Sequence, residues 1–299
     1  MAVNKPERIL MLKKIKANYY KFMAFPAFLL FFFFFIYPLL KGIGMSFTNW
    51  DGISKEKTFI GLRNFREFFG DSRAIHTMLT SIKYGLMEPI CINVVGLSLA
   101  LFLDSKLKMT NLMRTFVYLP SVISALVMGY VWQLMLRSDG GAIRQLMEMV
   151  GLESHFKAWL AYPDSALWVI LLVNTWQFSG TAMVIYLAGL QSVPQELYEV
   201  ATIDGAGYFQ RLKNVTLPML KPAFQINVIT NIIGALSVHD SVVALTDGGP
   251  GYATETISVY IYRMSAGARA GYATAVAIIL LLITMLPTVF VYRAMQKER

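Results

Sequence analysis

Six long apolar runs leave this chain very few architectures. They lie at residues 22–40, 78–103, 115–135, 167–190, 223–245 and 274–292. A helix needs roughly 20 apolar residues to cross a hydrocarbon core, and each run is near that length. Lipid offers backbone N–H and C=O groups no partner, so a crossing segment is either a helix or a strand of a closed barrel. Barrel strands are about ten residues long and alternate in polarity. These runs are longer and do not alternate, which predicts an all-α bundle of six transmembrane helices. Composition agrees: 15% of the residues are charged, against roughly 25% in soluble chains.

Charge then orients the bundle. With the N-terminus in the cytoplasm, fifteen of the 27 Lys and Arg residues face that side, with only six of the 18 acidic ones. Excess basic residues mark the cytoplasmic side of a membrane protein, so both termini are expected there, in a multi-pass cell-membrane protein. This one-sided distribution explains the net charge of +9 by a lipid partner, without nucleic acid. The expected organisation is a basic segment at 1–21, a six-helix domain at 22–292 and a short tail at 293–299. Within the domain, 191–221 forms a cytoplasmic loop, 106–114 a short cytoplasmic turn and 246–271 an extracellular loop.

Three local readings follow. The first run, "FMAFPAFLLFFFFFIYPLL", exceeds the roughly 7–15 residue core of a signal peptide and has no evident cleavage site, so it is expected to remain as the first span. Its Phe tract faces lipid. Cys91 is the single cysteine, which excludes an intrachain disulfide. The stretch "VGLESHFKAWLAYPD" at 150–164 has near-helical apolar spacing and is expected to lie as a helix in the outer interface.

The chain carries no engine of its own. The glycine loop G-x-x-x-x-G-K-[ST] that cradles nucleotide phosphates is absent, as are HExxH and GxSxG. Three scattered His and one Cys do not make a zinc site. No catalytic residue, metal ligand or bound cofactor is expected. Any work done by the chain must be powered from another polypeptide.

Against this apolar background stands "ELYEVATIDGAGYFQRLKNVTLPMLKP", residues 196–222. Leu197, Val200 and Ala201 share one helix face by i, i+3, i+4 spacing. "DGAG" stops that helix, with Gly205 and Gly207 supplying backbone angles other residues avoid. A second short helix at 208–215 presents Phe209, Leu212 and Val215, and Pro218 and Pro222 bracket the approach to the next run. The sequence thus describes a helix–corner–helix knob with an exposed apolar facet. Such a facet seats either on a protein partner or on the lipid surface.

This stretch resembles the EAA loop of permease subunits of binding-protein-dependent ABC importers, of the carbohydrate, maltose-permease-like type. Glu199, Ala201, Asp204, Gly205, Ala206, Leu217 and Pro218 match the motif, and Val200 replaces its first Ala, a change expected to crowd the helix packing slightly. "ALTDGGPGYATETISVYIYRMS" is similar to the outer-loop T-x-G-G-P signature of the same family. The resemblance implies that the knob is a coupling helix docked on a cytoplasmic ATPase. It implies a second, homologous permease subunit in a heterodimer, two ATP-binding subunits that use ATP and Mg²⁺, and an extracellular solute-binding protein met by Asp247, Gly248, Gly249 and Pro250. Rocking of the spans would then expose a midplane site alternately to the two sides.

Polar side chains inside spans are expensive and mark candidate pathways. Asn174, Gln177 and Thr181 form one stripe with Gly180 beside it, and Asn227, Asn231 and Gly234 form another. Amides both donate and accept, which suits sugar hydroxyls, and Trp176 offers a ring for stacking from a different face. The competing role for these amides is bonding between helices, worth about 0.6 kcal/mol each. Glu88 stands where the family usually has an apolar residue, a candidate to pair with a basic group on a partner subunit or near Lys83. His239 replaces the usual aromatic beside Asp240, which fits the family. Two rivals stay open at this point: an ABC permease for another cargo, such as glycerol phosphate or an acidic oligosaccharide, and an ion-coupled secondary transporter.

Overall fold

A computed structural model describes residues 24–104 and 109–296. The expected basic segment 1–21, part of the 106–114 turn and the end of the tail lie outside the described residues. The regular elements of the described residues are all helical, joined by loops, with a lone antiparallel bridge between Thr48 and Phe59. Helix α1 (Ala24–Ser46) leads to α2 (Arg63–Gly70) and α3 (Ser72–Leu103). Next come α4 (Thr110–Val122), α5 (Ala125–Met135), the short α6 (Ala142–Met149) and α7 (Pro163–Gln191). Then follow α8 (Gln195–Ile203), α9 (Tyr208–Arg211), α10 (Lys221–Leu236), α11 (Asp240–Thr246), α12 (Ile257–Ala266) and α13 (Ala270–Gln296).

Four helices, α1, α3, α7 and α13, are long and apolar enough to cross a membrane unaided. The other two expected spans are broken. Helices α4 and α5 meet at 95°, and α10 and α11 meet at 49°. The first break is a correction to the continuous run read at 115–135. It has a physical cause in Ile123, whose extended backbone (φ −80°, ψ 140°) ends α4. A carbonyl freed inside an apolar environment needs a donor. Gln177 Nε2 on α7 supplies it to Ile123 O at 2.9 Å, and Ser121 Oγ donates to the Gln177 carbonyl at 2.6 Å.

The expected interfacial helix at 150–164 is also corrected. Before α7 begins at Pro163, the segment holds only two single 3₁₀ turns, Glu153–His155 and Trp159–Ala161, and the helix of that loop is α6, just before it. Gly151 at φ +75° stops α6 before the apolar spacing of the later residues can be used.

Helices α3 and α7 form the centre, with α10 packed on both. One core cluster joins Ile92, Leu103, Met183, Tyr186 and Leu220. A second joins Tyr84, Ile170, Val173, Ala235 and Val242. Gly180 lets α4 approach α7: a Cβ there would lie 2.4 Å from the Val117 carbonyl oxygen, so Gly180 serves packing and not the polar stripe beside it. Helix α1, by contrast, buries none of its apolar window, and its Phe tract is outward-facing.

Candidate functional site

Two opposite ends of the bundle and a cavity between them hold the candidate residues. At one end, α8 and α9 build the knob. Helix α8 closes with a Schellman arrangement: Gly205 N–H donates to Thr202 O at 3.1 Å and Ala206 N–H to Ala201 O at 2.9 Å. That geometry puts Gly205 at φ +79°, a left-handed angle that glycine adopts without steric cost. Gly207 is different. Its φ of −70° and ψ of 174° are ordinary extended backbone, which corrects the expectation of a second special glycine.

The knob is braced internally. Tyr198 Oη and Thr216 Oγ1 are 3.0 Å apart, Arg211 Nη1 donates to Thr202 Oγ1 at 3.2 Å, and Gln210 Oε1 accepts from Gly207 N–H at 2.9 Å. Its apolar facet is wider than the spacing predicted: Ile203 is 85% and Phe209 79% exposed, with Tyr208 and Val200 exposed beside them. Glu199, Asp204, Leu217 and Pro218 are exposed, while Ala201 and Ala206 are half-buried.

At the opposite end, the segment from Asp247 to Glu255 is a folded loop and not a bare tight turn. Asp247, Gly248, Gly251 and Tyr252 all take positive φ. What holds it is Glu255, a fully buried carboxylate that the motif reading missed. Arg73 reaches it with two bonds, Nε to Oε2 at 2.8 Å and Nη2 to Oε1 at 2.7 Å. Arg263 Nη1 adds a third at 2.8 Å and pairs through Nη2 with Asp247 Oδ1 at 3.1 Å. Tyr252 lies under the Arg73 guanidinium at 3.7 Å. Nothing in the local spacing distinguishes Glu255 from a surface acid.

Between the ends, a cavity of about 390 Å³ opens where α10 breaks from α11. Glu88, Asn174, Thr181, Asn231, His239 and Asp240 line it, so the structure brings together residues from α3, α7, α10 and the break. Asn174 Nδ2 donates to Tyr84 Oη at 2.7 Å, and Tyr84 Oη donates to Glu88 Oε1 at 2.7 Å. Glu88 therefore rests on a tyrosine, and the expected pairing with Lys83 is not formed: Lys83 is exposed. His239 Nδ1 lies 2.9 Å from Asp240 Oδ1. Three buried polar atoms of the lining have no hydrogen-bond partner: Asn174 Oδ1, Asn231 Nδ2 and His239 Nε2. Buried polar atoms are nearly always paired, so this convergence is a feature of the site.

Three expected pathway residues lie elsewhere. Gln177 is turned to the α4–α5 break. Asn227 Nδ2 donates to Ala182 O at 3.2 Å, joining α10 to α7. Trp176 packs edge-on against Trp132, centroids 5.6 Å apart, in a separate apolar groove. The Tyr84–Glu88 pairing was open to sequence reading, because i, i+4 residues share a helix face.

A helical bundle with two broken spans, a cavity that several polar side chains help to line and a protruding braced knob is the architecture of a transport subunit. Comparison with known proteins agrees. Residues 92–298 match the model of the family described as binding-protein-dependent transport system inner membrane component, and the chain belongs to that family. It is 34% identical to a probable ABC transporter permease of Bacillus subtilis (strain 168), covering 84% of this chain and 87% of that protein. It is 33% identical to a probable permease for starch degradation products of Thermoanaerobacterium thermosulfurigenes, covering 94% of each. A trehalose/maltose permease of Thermococcus litoralis is 34% identical over 70% of each chain. The fold matches a crystal structure of a bacterial ABC transporter involved in import of the acidic polysaccharide alginate, with TM-score 0.81 at 23% identity, covering 96% of this chain and 98% of that one.

Proposed function

We propose that this chain is the permease subunit of an ATP-driven importer and that its cargo, a sugar or oligosaccharide, passes through the Asn174–Asn231–His239 cavity. One observation carries the cargo assignment. Three buried atoms, one acceptor on Asn174, one donor on Asn231 and one ring nitrogen on His239, lack hydrogen-bond partners, and their residues line one cavity. A polyhydroxylated ligand supplies the missing bonds, since each hydroxyl donates and accepts. Named relatives that carry starch degradation products and trehalose or maltose support the same class. Membership of a binding-protein-dependent family weighs against a self-sufficient ion-coupled carrier.

In this reading the other parts have definite tasks. The knob at Gly205 docks its Ile203–Phe209 facet in a cytoplasmic ATPase, and its bracing turns closure of that ATPase into rotation of α7 and α10. ATP and Mg²⁺ belong to two such partner subunits. A second, homologous permease completes the pathway, and both termini of this chain face the cytoplasm. The Asp247–Pro250 loop, stiffened through Glu255, meets an extracellular solute-binding protein.

The test is sugar uptake into vesicles containing the complete importer. Asn231→Leu and Asn174→Leu are each expected to lower uptake at least about tenfold, equivalent to about 1.4 kcal/mol, with the subunits still co-purifying. Unchanged uptake in both variants would remove the cavity from the pathway.

A further inference from the structure

The wall of the cavity is backed by a residue that does not line it. Tyr84 on α3 is 1% exposed and belongs to the core cluster of Ile170, Val173 and Ala235. Its hydroxyl joins two residues that do line the cavity, Asn174 and Glu88, by one bond of 2.7 Å to each. A phenol has a single proton to give. Asn174 Nδ2 donates to Tyr84 Oη, and the phenol proton goes on to Glu88 Oε1. A carboxyl group keeps acceptor capacity with or without its own proton, so this order of bonds needs no charge on Glu88.

The order decides which end of the Asn174 amide is taken. Its NH₂ end is held by Tyr84, and its carbonyl oxygen Oδ1 is buried without a partner. Asn231 on α10 is the reverse, because its unpartnered atom is the donor Nδ2. A free amide can turn over and present either end, whereas a held one presents an acceptor only. A group fixed before its ligand arrives also spares part of the ordering cost of binding.

We infer that Tyr84, braced by Glu88, is a positioning residue of the cargo site: it holds Asn174 with its carbonyl oxygen free for a cargo hydroxyl and does not touch the cargo itself. This rests on the cargo reading of the cavity and gives it a polarity, an acceptor from α7 and a donor from α10.

The test is uptake of maltotriose and of trehalose into vesicles containing the complete importer, with co-purification and basal ATP hydrolysis measured alongside. Tyr84→Phe keeps the ring in the core and removes only the hydroxyl. It is expected to lower uptake at least about fivefold, equivalent to about 1 kcal/mol. Added to Asn174→Leu, it is expected to lower uptake by no more than about a further twofold, because nothing is left to position. Glu88→Gln keeps an acceptor for the Tyr84 hydroxyl and is expected to stay within about twofold of the wild type. Glu88→Leu is expected to fall as Tyr84→Phe does. If Tyr84→Phe does not assemble, the two Glu88 variants decide. Positioning is overturned, and the cargo reading stands, if Asn174→Leu lowers uptake while Tyr84→Phe and Glu88→Leu leave it unchanged. The same holds if Tyr84→Phe costs an equal factor with and without Asn174, or if Glu88→Gln loses as much as Glu88→Leu. If Asn174→Leu and Asn231→Leu both change nothing, or the wild type takes up neither sugar, the cavity is not the cargo site and both readings fall.

Discussion

The guanidinium of Arg73, one residue into α3, grips the carboxylate of Glu255 with two bonds of 2.7 and 2.8 Å. These residues are 182 positions apart, so one contact ties the start of a long span to the loop that follows α11. Glu255 is fully buried and serves Arg263 as well, which in turn holds Asp247.

Removing one partner from a buried ion pair costs about 3–5 kcal/mol. Here both arginines are partly exposed and can turn to water, so Glu255→Ala is expected near the lower bound. A thermal melt of the purified importer should show the loss. Stimulation of ATP hydrolysis by the binding protein should fall much further than basal hydrolysis.

Gly205 and Gly207 separate two kinds of glycine. Gly205→Val forces a β-branched residue to φ +79°, a strain of about 1–3 kcal/mol, and is expected to break the link between ATP hydrolysis and uptake. Gly207→Ala is expected to leave both unchanged, because its backbone is ordinary and a Cβ there meets nothing within 4 Å. Parallel measurement of hydrolysis and uptake in vesicles checks the pair.

Gln177 and Asn231 should part company in the same assay. Gln177→Leu orphans the Ile123 carbonyl, a cost of about 1–3 kcal/mol, so it is expected to lower the yield and melting temperature of assembled importer. Asn231→Leu is expected to spare assembly and lower uptake.

Gly180→Ala would set a methyl group 2.4 Å from the backbone oxygen of Val117. Backbone cannot rotate away as a side-chain tip does, so a loss of about 1–3 kcal/mol is expected, visible as a lower melting temperature without any change in cargo preference.

What the residue order decided alone is what depends on local physics. Run length and apolarity placed the crossings, because each residue's transfer into lipid is nearly independent of its neighbours in space. The Gly205 corner was legible because a helix of this spacing followed by Asp-Gly closes on its own carbonyls. Ile203 was missed from the facet, since only the direction of α8 relative to the bundle leaves it bare. Asn174 and Asn231 were legible as costly amides, but so were Gln177 and Asn227, and nothing local separates them. Tertiary structure made that division. Gln177 gives its Nε2 to Ile123, 54 residues away, and keeps an unpartnered Oε1, whereas Asn231 lines a cavity where α10 breaks. Hydrogen bonding is decided by which group arrives opposite, and that group comes from a distant part of the chain. The same reason hides Glu255, whose burial exists only because Arg73 and Arg263 converge on it.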